Sequence, residues 1–151
     1  MAENSLDSKL LIEQGYFIST DKAKISFDLV YNYLSKESYW SENIPAELVR
    51  RSIENSVCFS VFFNDEQVGF ARVITDKATY GYLADVFILE EHRGKGLSKW
   101  LMQTILDHKE LEGFRSWMLA TKDAHGLYEQ FGFKLTNDTT RIMRKQGIEK
   151  Y

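Results

Sequence analysis

The run from Tyr82 to Ser98, YLADVFILEEHRGKGLS, constrains this chain more than any other stretch. Its first half, Tyr82–Leu89, is apolar and β-rich, broken by one aspartate, Asp85. A short charged turn follows, ending in Arg93-Gly94-Lys95-Gly96, and an amphipathic segment begins at once with Leu97. A strand that feeds a glycine-rich turn opening a helix suits an anion with several oxygens. Glycine lets the backbone come close, and the first N–H groups of a helix have no internal partner.

The rest of the chain reads as one soluble domain around that unit. Its 151 residues are enough to bury a substantial core, so residues 1–151 are taken as a single domain with 1–15 loosely ordered. The net charge of −3 gives no overall attraction to nucleic acid or to an anionic membrane. The one cysteine, Cys58, excludes an internal disulfide framework and a cysteine zinc site, and it reads as a small buried hydrophobe. No histidine set suggests a metal, and no apolar run is long enough to span a bilayer. The polar N-terminus lacks a secretory core, so a cytoplasmic location is expected.

Periodicity predicts strands at 16–19, 57–63, 67–75, 80–89 and 116–121, with short final strands at 133–135 and 140–143. It predicts helices over 28–34, from Pro45 to about 55, over 97–108, and over 124–131 with Asp123 as N-cap and Gly132 as a left-handed C-cap. This order gives an α/β (α+β) mixed sheet whose first strands are antiparallel. The crossover from strand 80–89 through helix 97–108 makes strand 116–121 parallel to its predecessor.

A Walker loop fails here, because Gly96 follows Gly94-Lys95 and Leu89 stands where the earlier glycine belongs. A dinucleotide fingerprint fails at Lys99, where a third glycine is required. The segment LEEHRGKGLSKWL instead resembles the acyl-CoA signature of the GNAT N-acetyltransferase superfamily, Q/R-x-x-G-x-G/A, with Ser98 in the last place. Ala124-His125-Gly126-Leu127-Tyr128-Glu129-Gln130-Phe131-Gly132-Phe133 resembles the late helix of that family, A-x-x-L-Y-x-x-x-G-F. The two motifs stand in the family's order, and with SYW upstream and GFAR in the hairpin the chain is similar to small bacterial single-domain GNAT proteins.

The resemblance implies a GNAT-like acyl-CoA N-acyltransferase fold, acetyl-CoA as acetyl donor, no metal, and an amine acceptor that is a small molecule or an exposed amino group. It implies that Arg93, Gly94, Lys95, Gly96, Leu97, Ser98 and Lys99 hold the pyrophosphate, with Lys95 and Lys99 either adding screened attraction or forming a solvated face. The backbone of Val86, Phe87 and Ile88 would pair with the pantetheine arm like an added strand, and an N–H near Ile88 would hold the oxyanion. An alkylamine with pKa near ~10.4 is almost fully protonated at pH 7, a handicap of roughly 4–5 kcal/mol. A carboxylate can remove that proton. Asp85 matches a family position that often carries an acidic residue; a structural aspartate is the other reading, and His125 or a water chain the other source of a base. Tyr128 corresponds to the family tyrosine that protonates the leaving thiolate. Tyr39 and Trp40 fall where family members shape the acceptor pocket, or else fill a gap between helices. Arg72 is a strand-surface charge or a contact for an acceptor carboxylate, and His92 a solvated turn residue. Small family members often self-associate, so a homodimer is expected as an option. A non-catalytic CoA-binding or protein-interaction module with the same fold is the competing reading.

Overall fold

The computed structural model describes residues 2–138 and 140–151. The chain runs α1 (Ala2–Glu13), β1 (Tyr16–Ser19), α2 (Phe27–Asn32), a π-helical turn (Tyr33–Glu37), α3 (Ala46–Glu54), β2 (Val57–Phe63), β3 (Glu66–Thr75), β4 (Tyr80–Ile88), α4 (Leu97–Leu106), β5 (Ser116–Leu119) and α5 (His125–Glu129). The five strands form one sheet in the order β1-β2-β3-β4-β5. The first four are antiparallel to their neighbours, and β4 and β5 are parallel, as the crossover through α4 requires. The expected mixed α/β sheet with flanking helices is therefore what forms.

Both faces of the sheet are covered, which is why β2 is apolar at every position but Ser60 and buried from Cys58 to Phe62 rather than on alternate residues. Phe59, Val61, Ala71 and Val73 point to one core with Leu97, Leu101, Met102 and Ile105 of α4. Cys58, Phe70 and Phe87 point the other way, onto Val30, Leu34 and Val49 of the α2–α3 layer. Cys58 is a buried hydrophobe as expected, and burial pushes its thiol up to about 11. Phe59 has no exposed surface. Phe59→Ala is expected to cost about 3–5 kcal/mol and to lower the melting temperature by roughly 10 °C or more. Thermal unfolding followed by circular dichroism checks this, and an unchanged midpoint would remove Phe59 from the core.

Several elements differ from the sequence reading. The N-terminal segment expected to be loosely ordered contains α1, which packs on β1 and α4. Of its apolar cluster only Leu11 is buried, while Leu10 and Ile12 face solvent, so no helical stripe marked it. Helix 28–34 is a shorter α-helix that continues into a π-helical turn, where the Ser38 N–H reaches back to the Tyr33 carbonyl at 2.9 Å. The N-cap of α5 is Ala124 rather than Asp123, and the Ala124 N–H is taken by Thr121 Oγ1 at 3.0 Å. Gly132, at φ +88°, closes that helix as expected, with the Phe133 N–H returning to the Tyr128 carbonyl. The final strands at 133–135 and 140–143 do not form, because neither segment pairs with β5 or with the other. β5 is consequently an edge strand, half-buried rather than buried. Among the described residues no helix is long and apolar enough to cross a membrane.

Candidate active site

The site begins at an irregularity in β4. Across β3 and β4, Phe70 faces Phe87 and Arg72 faces Ala84, so β4 carries one extra residue between these two pairs. Asp85 sits in this bulge at φ +53°, a conformation rarely taken by a residue with a side chain and tolerated best by Asp and Asn. Pairing of β4 with β5 ends at Leu83–Leu119, just before the bulge, while β4 itself continues to Ile88. The two parallel strands therefore part, leaving one side of β4 unpaired from Ala84 onward.

Which backbone groups face that opening follows from the ladder. The Leu89 N–H bonds the Val68 carbonyl at 2.8 Å, so Leu89 directs its polar groups toward β3. Direction alternates along a strand, so Phe87 also faces β3, while Val86 and Ile88 turn their N–H and C=O groups to the open side. Of the expected trio Val86, Phe87 and Ile88, only the first and last present main-chain partners there.

Beyond Ile88 the chain makes a tight turn and enters α4. Gly94 and Gly96 have φ of +77° and +88°, and Gly96 is the N-cap of the helix. A Cβ at either position would meet no atom within 4 Å, so both glycines are needed for their backbone conformation rather than for space inside the fold. The first main-chain bond of α4 runs from the Trp100 N–H to the Gly96 carbonyl at 3.1 Å. Among the described residues, none of the N–H groups from Gly94 through Lys99 meets an acceptor. This row of unused donors at a helix N-terminus fits a diphosphate. Ser98 is small enough to sit in it without closing it. Lys95 and Lys99 are exposed beside it. Arg93 reaches back instead: its Nε donates to the Ile88 carbonyl at 2.8 Å and its Nη2 to the Tyr33 hydroxyl at 3.1 Å.

A cleft of about 580 Å³ opens where β4 and β5 separate. Asp85, Arg72, Tyr39, Trp40, Tyr82 and Tyr128 all line it. Asp85 is engaged on both oxygens: Oδ2 accepts from Arg72 Nε at 2.6 Å and Oδ1 from Trp40 Nε1 at 2.8 Å. Its side chain is only 7% exposed, so the guanidinium offsets a charge that water could not. Arg72 is itself braced by Ser56 Oγ, which accepts from its Nη1 at 3.1 Å. Arg72 is thus neither a loose surface charge nor wholly free for a ligand. Tyr39 and Trp40 pack edge to face at 5.0 Å. Their loop is tied across the cleft, because the Tyr39 hydroxyl accepts the Lys122 N–H at 3.0 Å.

Tyr128 enters the same cleft from α5 and is 8% exposed. Burial pushes its phenol up to about 12, with Tyr39 and Asp123 adding to the shift. Its hydroxyl has no hydrogen-bond partner among the described residues. It is a protonated donor facing the cavity. His125 lines a neighbouring pocket of about 410 Å³ beside β5, which Tyr128 also borders. His92 is not a solvated turn residue: its Nδ1 pairs with the Tyr16 hydroxyl at 2.7 Å and its ring lies against Phe63. Among the described residues no group of His, Cys, Asp and Glu side chains could hold a metal ion.

A family model described as the acetyltransferase (GNAT) family matches residues 27–133, which hold the bulged strand, the glycine turn and α5. The chain belongs to the GNAT acetyltransferase family. A crystal structure of a GNAT-family protein from Xanthomonas campestris pv. campestris superposes with a TM-score of 0.85 at 44% identity, covering 87% of this chain and 93% of that one. A protein of Gibberella zeae, designated an acetyltransferase by inference, is 31% identical over 142 residues, 79% of either chain. The glucosamine-6-phosphate N-acetyltransferase of Arabidopsis thaliana shares 18% identity and a TM-score of 0.59, over 90% of this chain and 97% of that one, which shows likeness of fold alone. In this GNAT protein, sequence reading missed the roles of Tyr33 and Ser56. Tyr33 was read as part of a helical apolar stripe and Ser56 as the end of a helix, and neither spacing nor composition marks a hydroxyl that braces an arginine 16 or 60 residues away.

Proposed function

We propose that this GNAT protein is an acetyl-CoA-dependent N-acetyltransferase acting on a primary amine of a small molecule or an exposed amino group, by direct attack with both substrates bound. The observation that carries the reading is the parting of β4 and β5 between the row of free N–H groups at Gly94–Lys99 and the buried phenol of Tyr128. An elongated donor with a diphosphate at one end and a thioester at the other fits that path.

The chain's own groups divide the work. The N–H groups of Gly94, Lys95, Gly96, Leu97, Ser98 and Lys99 bind the diphosphate, and Arg93 shapes the approach to them. The open-side groups of Val86 and Ile88, with Phe87 holding the strand to β3, align the pantetheine amides as an added strand would be aligned. Acetyl-CoA supplies an activated acetyl thioester. A neutral amine forms the new N–C bond as the C–S bond breaks. Tyr128, protonated at neutral pH, gives its proton to the leaving sulfur, and Asp85 takes the proton lost by the amine. Tyr39 and Trp40 form the acceptor wall. Because Trp40 donates to Asp85 Oδ1, an incoming amine replaces the indole N–H at that oxygen while Arg72 keeps the other. The reading takes residues 1–151 as one catalytic domain, located in the cytoplasm and able to form a homodimer, with neither nucleic acid nor membrane as a partner.

Release of free thiol from acetyl-CoA in the presence of an amine panel tests this reading. Saturable binding of acetyl-CoA without thiol release on any amine would favour a binding module. Asp85→Asn is expected to lower kcat/KM by about 10²–10⁴-fold and to shift or depress the pH–rate profile, with acetyl-CoA affinity little changed. An unaltered profile would take the base assignment away from Asp85.

A further inference from the structure

Arg93 opens the motif expected to bind phosphate, yet two of its nitrogens are engaged within the protein. Nε donates at 2.8 Å to the carbonyl of Ile88, on the open side of β4, and Nη2 donates at 3.1 Å to the hydroxyl of Tyr33. Tyr33 is fixed in its turn. It is 8% exposed, it starts the π-helical segment, and its ring stacks on Phe87 of β4 at 3.8 Å between centroids with 9° between planes. Phe87 and Ile88 are adjacent, so both ends of this chain of contacts return to the same two residues of β4. The glycine turn hangs from the other end of Arg93.

We propose that Arg93 and Tyr33 form a strut that sets the spacing between the open edge of β4 and the phosphate turn, and that both act as positioning residues for acetyl-CoA. This rests on the acetyl-CoA reading above. A ligand that touches two subsites gains from the second in proportion to how well their separation is held, because binding one end then presents the other at high effective concentration. Turn and strand are also joined by the segment Leu89–His92, exposed at Glu90 and Glu91 and anchored at His92 on Tyr16, and by the packing of Leu97 of α4 in the same core as Ile88; neither of these reaches the glycines of the turn themselves. The Arg93–Ile88 bond closes that segment into a small ring, and the Tyr33 hydroxyl holds the guanidinium in the plane that makes the bond. The same bond occupies the Ile88 carbonyl, so the edge offers the Ile88 N–H and the Val86 pair to a ligand.

The test compares two probes by calorimetry: acetyl-CoA, which spans both subsites, and adenosine 3′-phosphate 5′-diphosphate, which reaches the turn alone. Tyr33→Phe keeps the stacking on Phe87 and removes only the hydroxyl; Arg93→Leu removes the strut. Each is expected to bind acetyl-CoA about tenfold more weakly while holding the nucleotide within about twofold, and the double variant to be no weaker than Arg93→Leu alone. In turnover, Tyr33→Phe raises KM for acetyl-CoA rather than lowering kcat. Wild-type affinity for acetyl-CoA in both variants, or equal loss of the two probes, would overturn the strut. Wild-type protein that binds neither probe would instead overturn the acetyl-CoA reading, and the strut with it. Should Arg93→Leu not fold, Tyr33→Phe decides the matter alone.

Discussion

Gly96→Val is expected to abolish measurable acetyl-CoA binding in a protein that remains folded. Gly96 holds φ at +88° as the N-cap of α4, and valine, branched at Cβ, avoids that region. The strain of keeping it there is about 1–3 kcal/mol. The alternative is for the turn to relax; a Cβ at Gly96 meets no atom within 4 Å, so it is backbone strain and not a clash that drives this. Relaxation swings the donors from Gly94 to Lys99 out of register. Losing several bonds to a charged ligand together is expected to weaken binding by at least ~100-fold. Titration calorimetry alongside a melting curve separates this from unfolding. Affinity equal to wild type would place the diphosphate somewhere other than this turn.

Tyr128→Phe is expected to lower kcat by about 10²-fold or more while leaving acetyl-CoA affinity nearly unchanged. The ring stays to fill its buried site against Phe133, so only the proton donor is lost. The pH dependence has a definite sign. Because burial pushes this phenol up to about 12, it keeps its proton through the neutral and mildly alkaline range and is half deprotonated only at about that value. Any fall in rate on the alkaline side below pH ~10 therefore belongs to another group and should persist in Tyr128→Phe. A variant with full turnover would show that the thiolate leaves without help from this residue.

The sequence made the frame of the molecule legible because its strongest signals are local. Strands from Val57 to Ile88 stand out as β-rich runs separated by turns, and the glycine turn and Gly132 announce backbone conformations that other residues avoid. The site was legible where one residue type has few uses, as at Gly94 and Gly96. It was not legible where function depends on a partner distant in sequence. Asp85 could be picked out of an apolar strand, but its bonds to Trp40 and Arg72 belong to the fold, as does the bond between His92 and Tyr16. The strands expected at 133–135 and 140–143 failed for the complementary reason. β-propensity describes how well a segment fits a pleated surface, not whether an edge is in position to receive it.

The extra residue in β4 also works as a change of phase. Leu83 lies on the α4 side of the sheet; strict alternation from there would carry Phe87 to that side and Ile88 to the other. Both do the opposite: Phe87 packs under Tyr33 and Ile88 joins the α4 core. One half-step at Asp85 thus lets a single strand serve two cores that are out of step with each other. Mutational tolerance in this strand should follow from that. Substitutions between Ala84 and Val86 change one side chain at a time, whereas deleting one of these residues restores regular alternation, leaves Phe87 and Ile88 in their own layers, and removes the positive-φ kink that carries Asp85. The extra residue is therefore kept by the kink it makes at Asp85 rather than by the two cores on either side of the strand.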